Sequence, residues 1–424
     1  MMLKSIALSA LIAAAAFSSA MAEDDTQALI AKGAYLARAG DCIACHTAPG
    51  GKPFAGGLPI KSDIGTIFST NITPDKVNGI GNYTEEQFSK AVREGIRADG
   101  AHLYPAMPYP SYTKVSDADM HALYAYFMHG VKAEANKPEE TKLSFPFSQR
   151  WGMRLWNLAF NAPKPSKDMS AQPTELERGA YLVEGLGHCG SCHTPRGIGM
   201  QEKGYDAASS NFLSGGELNG WPVPSLRGNG KTVHGITNWS EQDIADYLGM
   251  GRNNFAAVGG EMKSVVENST AYLSNADLHA IAAYLKSLPA AADTVAAKPA
   301  SDETVKKLTA AVNLTVGERL YLDNCGACHF VTGKGAPKVF PALDGASVVN
   351  AENPTALVHT ILFGAQTPAT DRAPSVLPMP GFASRLSDED VAQLATFVRS
   401  AWGNSAPAVK AADVRDIRNS LAEK

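Results

Sequence analysis

Three stretches of the chain repeat one pattern of apolar and polar positions, and each predicts the same three helices. An opening helix is marked by Lys32-Gly33-Ala34-Tyr35-Leu36, by Arg178-Gly179-Ala180-Tyr181-Leu182 and by Gly317-Glu318-Arg319-Leu320-Tyr321-Leu322. A middle helix is predicted over Thr84 to Ile96, Ser240 to Gly249 and Pro354 to Phe363. The first two begin Thr84-Glu85-Glu86-Gln87 and Ser240-Glu241-Gln242-Asp243, a hydroxyl cap with acids in the first turn. A closing helix begins at Ser116-Asp117-Ala118-Asp119, Ser274-Asn275-Ala276-Asp277 and Ser387-Asp388-Glu389-Asp390. Its apolar residues then fall on one face, as in Met120, Leu123, Tyr124 and Phe127, or Leu278, Ile281, Ala282 and Leu285.

The segments between repeats differ in composition. Residues 136–172 hold Pro138, Pro146, Pro163 and Pro165, and residues 290–309 are rich in Ala, Lys and Thr. Both read as linkers. The expected order is a leader at 1–22, repeats at 23–135, 173–289 and 310–403, the two linkers, and a tail at 404–424. The leader pattern is a positive Lys4, an apolar run from Ile6 to Phe17, and Ala20-Met21-Ala22 as a small-x-small cleavage site. That run is too short for a comfortable membrane span, so the mature chain is expected to be exported and globular. The first linker carries an apolar stretch of Phe145, Phe147, Trp151, Leu155, Trp156, Leu158 and Phe160. It reads either as packing between repeats or as a docking surface.

Composition narrows the function classes. Apolar residues make up 45% and charged residues 19% of the 424, enough for packed cores. A net charge of −4 and no basic run argue against nucleic acid as a partner. The six cysteines are too few for a disulfide scaffold at this length.

Those cysteines form three identical motifs: Cys42-Ile43-Ala44-Cys45-His46, Cys189-Gly190-Ser191-Cys192-His193 and Cys325-Gly326-Ala327-Cys328-His329. C-x-x-C-H is the attachment pattern of c-type haem. Two thiols three residues apart on a turn of helix can each add to one vinyl group of the same haem. The histidine that follows lies under the iron. Zinc would want a second Cys/His pair in each repeat, and a thioredoxin-like site a βαβ setting. Neither accompanies the motifs. The chain is therefore expected to bind three covalent haem c groups, with no cysteine left over.

A sixth ligand to each iron is expected from methionine. Met107 lies in Tyr104-Pro105-Ala106-Met107-Pro108 and Met379 in Leu377-Pro378-Met379-Pro380-Gly381. The neighbouring prolines fix the loop that carries the sulfur. In the second repeat the candidate is Met262, read as part of a loose Gly259-Gly260-Glu261-Met262 loop, with Met250 at a helix end as its rival. His102, His121, His129, His188, His234, His279 and His359 read as surface or structural histidines.

The chain resembles the triheme cytochrome c subunits of bacterial membrane-bound dehydrogenases for alcohols, gluconate, fructose and other sugars. The resemblance rests on Gly40-Asp41-Cys42-Ile43-Ala44-Cys45-His46-Thr47, Ser69-Thr70-Asn71-Ile72-Thr73-Pro74-Asp75, Leu103-Tyr104-Pro105-Ala106-Met107-Pro108-Tyr109 and Leu123-Tyr124-Ala125-Tyr126-Phe127-Met128-His129-Gly130. In the second repeat it rests on Cys192-His193-Thr194-Pro195-Arg196-Gly197 and Met200-Gln201-Glu202-Lys203. It implies a mainly α fold of three tandem cytochrome c domains, each wrapping a covalent haem and joined by Pro/Ala-rich linkers. It also implies a catalytic partner subunit carrying flavin or pyrroloquinoline quinone, room for a small third subunit, and ubiquinone as acceptor at the periplasmic side of the cytoplasmic membrane. Membrane association is expected to be peripheral or through the partner. Several relatives carry a longer amphipathic C-terminal segment, whereas Val414, Ile417 and Leu421 here make only a short apolar stripe. This stripe is a weak match to that segment.

The function this points to is electron relay, without catalysis of the organic substrate by this chain itself. Two alternatives stay open: a haem enzyme in its own right, such as a peroxidase or reductase, and a free-standing soluble electron carrier. No GxGxxG in a βαβ setting and no catalytic constellation for an organic substrate is present.

Overall fold

The computed structural model describes residues 24–160, 173–218, 220–227, 236–290 and 301–422. The expected leader, His234 and parts of both expected linkers lie outside them. The chain divides between Leu155 and Trp156 into two compact units, each mainly helical.

The first unit holds the first repeat. Its opening helix covers residues 24–39 and leads into a short turn of helix at Cys42–Cys45. The middle helix is Glu85–Glu94, and the closing helix is Asp117–Ala125, extended by a wide π-type turn at Tyr126–Gly130. Thr84 caps the middle helix in a reciprocal box with Gln87, as the spacing predicts, and Gly95 ends it in the left-handed conformation. The core collects Leu36, Phe54, Phe88, Tyr109, Met120, Leu123 and Phe127. Phe54 and Phe127 meet edge to face at 5.3 Å.

A small antiparallel sheet joins this helical frame. Pro59–Ser62 pairs with Gly65–Phe68, and Lys142–Leu143 adds a third strand in register with Gly65 and Thr66. Residues at the start of the expected first linker thus fold back on the first repeat. Asn136 assists by donating to the Ala55 carbonyl at 2.7 Å. In the apolar stretch that follows, Phe145, Trp151 and Leu155 are exposed while Met153 is buried.

The second unit holds the other two repeats. In the second repeat the opening helix is Glu175–Ala180, widened into a π-type turn at Tyr181–Leu186. The middle helix is Glu241–Met250, and the closing helix is Asn275–Ser287. In the third repeat they are Val316–Asn324, Thr355–Phe363 and Asp388–Ser400. The third core gathers Tyr321, Val358, Leu362, Val391, Leu394 and Trp402. The expected tail is part of this core. A helix over Ala411–Ala422 buries Val414 completely and packs Ile417 on the same cluster. Arg418 fastens it, donating to Asp388 at 2.8 Å and to the Leu386 carbonyl at 3.0 Å. Among the described residues no helix is long and apolar enough to cross a membrane.

In every repeat the opening and closing helices cross at a glycine. A β-carbon on Gly33 would overlap the Ala122 carbonyl oxygen, one on Gly179 the Ala280 oxygen, and one on Gly317 the Gln393 oxygen. Backbone therefore packs directly on backbone. The sequence sign was the glycine shared by all three opening helices. Gly33→Ala or Gly179→Ala should lower the stability of its unit by about 1–3 kcal/mol or more, because packed helices cannot yield without losing their contacts. Gly152, with open space around its β-position, is the control. Thermal unfolding followed by circular dichroism should show Gly152→Ala unchanged and the crossing variants melting early.

Candidate haem centres

Each C-x-x-C-H motif sits where an opening helix has just ended. Cys42–Cys45 and the runs Gly190–His193 and Gly326–His329 are single turns of helix. The turn is what brings two thiols and a histidine together from five consecutive residues. In the first two repeats the residue before the first cysteine takes a left-handed backbone, Asp41 at φ 50° and His188 at φ 34°. Such strain in non-glycine residues gathers at functional sites. It redirects the chain from the helix into the motif.

Among the described residues the six cysteines form no disulfide. Withdrawal from water pushes the first thiol of each pair, Cys42, Cys189 and Cys325, up to about 12, and the second cysteine of each pair adds to the rise. These three thiols stay protonated at neutral pH. The donor set suits thioether attachment of haem.

The three histidines share a second feature. His46 Nδ1 hydrogen-bonds the Thr70 carbonyl at 2.7 Å, His193 Nδ1 the Pro224 carbonyl at 2.8 Å, and His329 Nδ1 the Pro341 carbonyl at 2.9 Å. A carbonyl can only accept, so Nδ1 carries the proton and Nε2 keeps its lone pair. Burial lowers the pKa of all three rings below the ordinary histidine value, against the raising effect of the carbonyl bond. The rings are held neutral and oriented, the state in which imidazole binds a metal.

The accepting carbonyls escaped the sequence reading, because a backbone oxygen has no residue signature. A sign was available in the last two repeats, where Pro224-Ser225-Leu226 and Pro341-Ala342-Leu343 share a P-x-L pattern. In the first repeat Thr70 takes that role, inside the stretch Ser69 to Asp75.

The methionines fall on separate elements from the motifs. Met107 is half-buried in the tight turn before Tyr109–Tyr112. Met379 lies in a two-residue strand, Pro378–Met379, paired with Ala365–Gln366, and packs on the third core. Met262 departs from expectation. It is the second residue of a helix, Glu261–Asn268, rather than part of a loose loop. Gly260 makes this possible, capping the helix at φ 54° where a β-carbon would crowd the Trp221 ring at 3.1 Å. Met250 ends the middle helix as expected and lines a cleft of about 420 Å³ with His279, Leu278 and Arg372. Of the other histidines, His121 pairs with Glu85 at the surface, and His359 packs at a tilt against Trp221, ring centroids 4.9 Å apart.

The sequence profile of the family described as Cytochrome c matches residues 30–130, 176–289 and 314–402, so the threefold repeat is a repeat of cytochrome c domains. The cytochrome c subunit of alcohol dehydrogenase (quinone) from Gluconobacter oxydans is 48% identical over 96% of this chain and 86% of its own length. The gluconate 2-dehydrogenase cytochrome c subunit of Pantoea cypripedii is 44% identical over 98% of this chain and 95% of its own. The fructose dehydrogenase cytochrome subunit of Gluconobacter japonicus is 40% identical over 92% and 82%. The chain belongs to the cytochrome c family, and within it to the cytochrome c subunits of alcohol, gluconate and fructose dehydrogenases. Covalently bound haem c is the cofactor this implies.

Asp41, next to Cys42, gives a pH test of the first site. Its Oδ1 is buried without a hydrogen-bond partner, and withdrawal from water pushes its pKa from 3.8 up to about 8, with Arg38 acting against the rise. Between those values the folded protein keeps a proton that the unfolded chain has released. The stabilising contribution is therefore present at low pH and is lost as pH rises towards 8. Asp41→Asn should flatten that dependence. Unfolding midpoints of the first unit, compared at pH 5 and pH 8, should differ less in the variant than in the wild type. An equal fall in both would contradict the assignment.

Proposed function

We propose that this chain is the electron-transfer subunit of a membrane-bound dehydrogenase. It carries three covalent haems in domains at 23–135, 173–289 and 310–403. Cys42 and Cys45, Cys189 and Cys192, and Cys325 and Cys328 anchor them. His46, His193 and His329 are the proximal iron ligands, and Met107, Met262 and Met379 the distal ones. Bound in this way, haem c supplies one-electron oxidation and reduction. The residues orient each imidazole through Nδ1, keep it neutral, and keep water from the iron. The observation that carries the reading is the threefold recurrence of a neutral histidine, tied through Nδ1 to a carbonyl, beside a pair of cysteines.

The relatives' printed names support a catalytic dehydrogenase partner, and one names quinone. The reading continues from there. Electrons pass from a flavin or pyrroloquinoline quinone subunit, through this exported chain, to ubiquinone at the periplasmic face of the cytoplasmic membrane. Attachment to the membrane is peripheral or through the partner, with room for a third, small subunit.

The test uses the complex isolated from membranes. Its substrate should reduce the haem bands, and a ubiquinone analogue should reoxidise them, with quinone reduction lost when this chain is absent. The reduced wild-type chain should bind no carbon monoxide. Met262→Ala should open one iron of three to carbon monoxide and slow quinone reduction, and Met250→Ala should do neither. Ready binding of carbon monoxide by the wild type would instead support a haem enzyme.

A further inference from the structure

The loop that orients the third histidine is held from outside its own repeat. Pro341, whose carbonyl accepts from His329 Nδ1, lies between two attachment points to the second repeat. On one side the Lys338 N–H donates to the Asn253 carbonyl at 3.0 Å, and Lys338 Nζ pairs with Asp246 Oδ2 at 2.6 Å. On the other side the Ala342 N–H donates to the Phe255 carbonyl at 2.8 Å. Lys338 is held at φ 60°, a left-handed conformation that a lysine keeps only where its surroundings demand it.

The second repeat's side of this clamp is stiff. Asn253 is buried, and its Oδ1 accepts from the N–H groups of Phe255 and Ala256 at 2.8 Å. Its Nδ2 donates at 3.0 Å to the carbonyl of Asp243 on the middle helix. Asp246 lies one turn further along that helix and also accepts from Gln242 at 2.7 Å. The turn at 253–256 and the Asp246 carboxylate are therefore fixed to one rigid element.

We propose that the second repeat sets the proximal ligand of the third. Asp246 and Lys338 are positioning residues that hold the Pro341 carbonyl against His329 Nδ1. This rests on the reading of His329 as an iron ligand. The hydrogen bond to Pro341 makes the ring a stronger electron donor, which favours the oxidised iron. Loosening the clamp weakens that bond and raises the potential of the third haem. The redox balance of one repeat thus depends on its packing with its neighbour.

The sign of the shift separates positioning from simple charge. As a bare charge, Lys338 raises a nearby potential and Asp246 lowers it. Charge alone would make Lys338→Met lower the third potential and Asp246→Asn raise it. Positioning makes both variants raise it. The experiment is a spectroscopic redox titration of the full-length, haem-loaded chain and its variants. The third haem is identified as the component missing from Cys325→Ala/Cys328→Ala. Both variants should increase its reduced-to-oxidised ratio at fixed potential by about two- to fivefold, the scale of a partly exposed ion pair. Lys338→Arg should stay near the wild type. Opposite shifts, or no shift in Asp246→Asn, would overturn the proposal while three haems remained. A Cys325→Ala/Cys328→Ala chain that still held three haems would overturn the reading beneath it.

Discussion

Each repeat is organised by the crossing of two helices at a point where one of them has no side chain. Gly33, Gly179 and Gly317 let the opening helix lie directly on the carbonyls of the closing one. That contact joins the start of a repeat to its end and leaves the motif at the exit of the opening helix. In the first two repeats a cation just before the glycine reinforces it. Lys32 reaches the buried Asp119 at 2.6 Å, and Arg178 grips Asp277 with two bonds of 2.8 Å. The same two acids also donate their N–H groups to the Ser116 and Ser274 caps. In the third repeat the opening helix is instead tied to the segment before it, Lys307 pairing with Glu318 at 2.8 Å.

From that frame the chemistry follows in short steps. A single helical turn gathers two thiols and an imidazole. The loop that returns towards the middle helix supplies one carbonyl to fix the ring. Burial keeps the ring neutral and the first thiol protonated. The sites are not equivalent, however. His329 is buried, whereas His46 and His193 are half-buried, and the loop behind His329 is braced by the neighbouring repeat. Like motifs therefore meet unlike surroundings, and surroundings are one of the things that set a haem's potential.

Much of this was legible from side chains with strong local signatures. Thr84, Ser116, Ser240, Ser274 and Ser387 marked helix starts, and all five side chains cap the helices that follow. The cysteine spacing gave the cofactor. What escaped the reading lacks such a signature. The carbonyls of Thr70, Pro224 and Pro341 belong to the backbone. The Lys142–Leu143 strand is too short for an alternating pattern to show. Met262 was read as loop because two glycines precede it, yet one of them starts a helix. Val414 and Ile417 looked like a weak stripe because their partners, the apolar residues of the third core, are far away in sequence.

The central claim is that all three motifs are working attachment sites. It is tested most directly by the intact mass of the chain after maturation with its haem-attachment machinery. The account predicts the mass of the processed polypeptide plus three haems. A fully matured chain carrying two or fewer would contradict it.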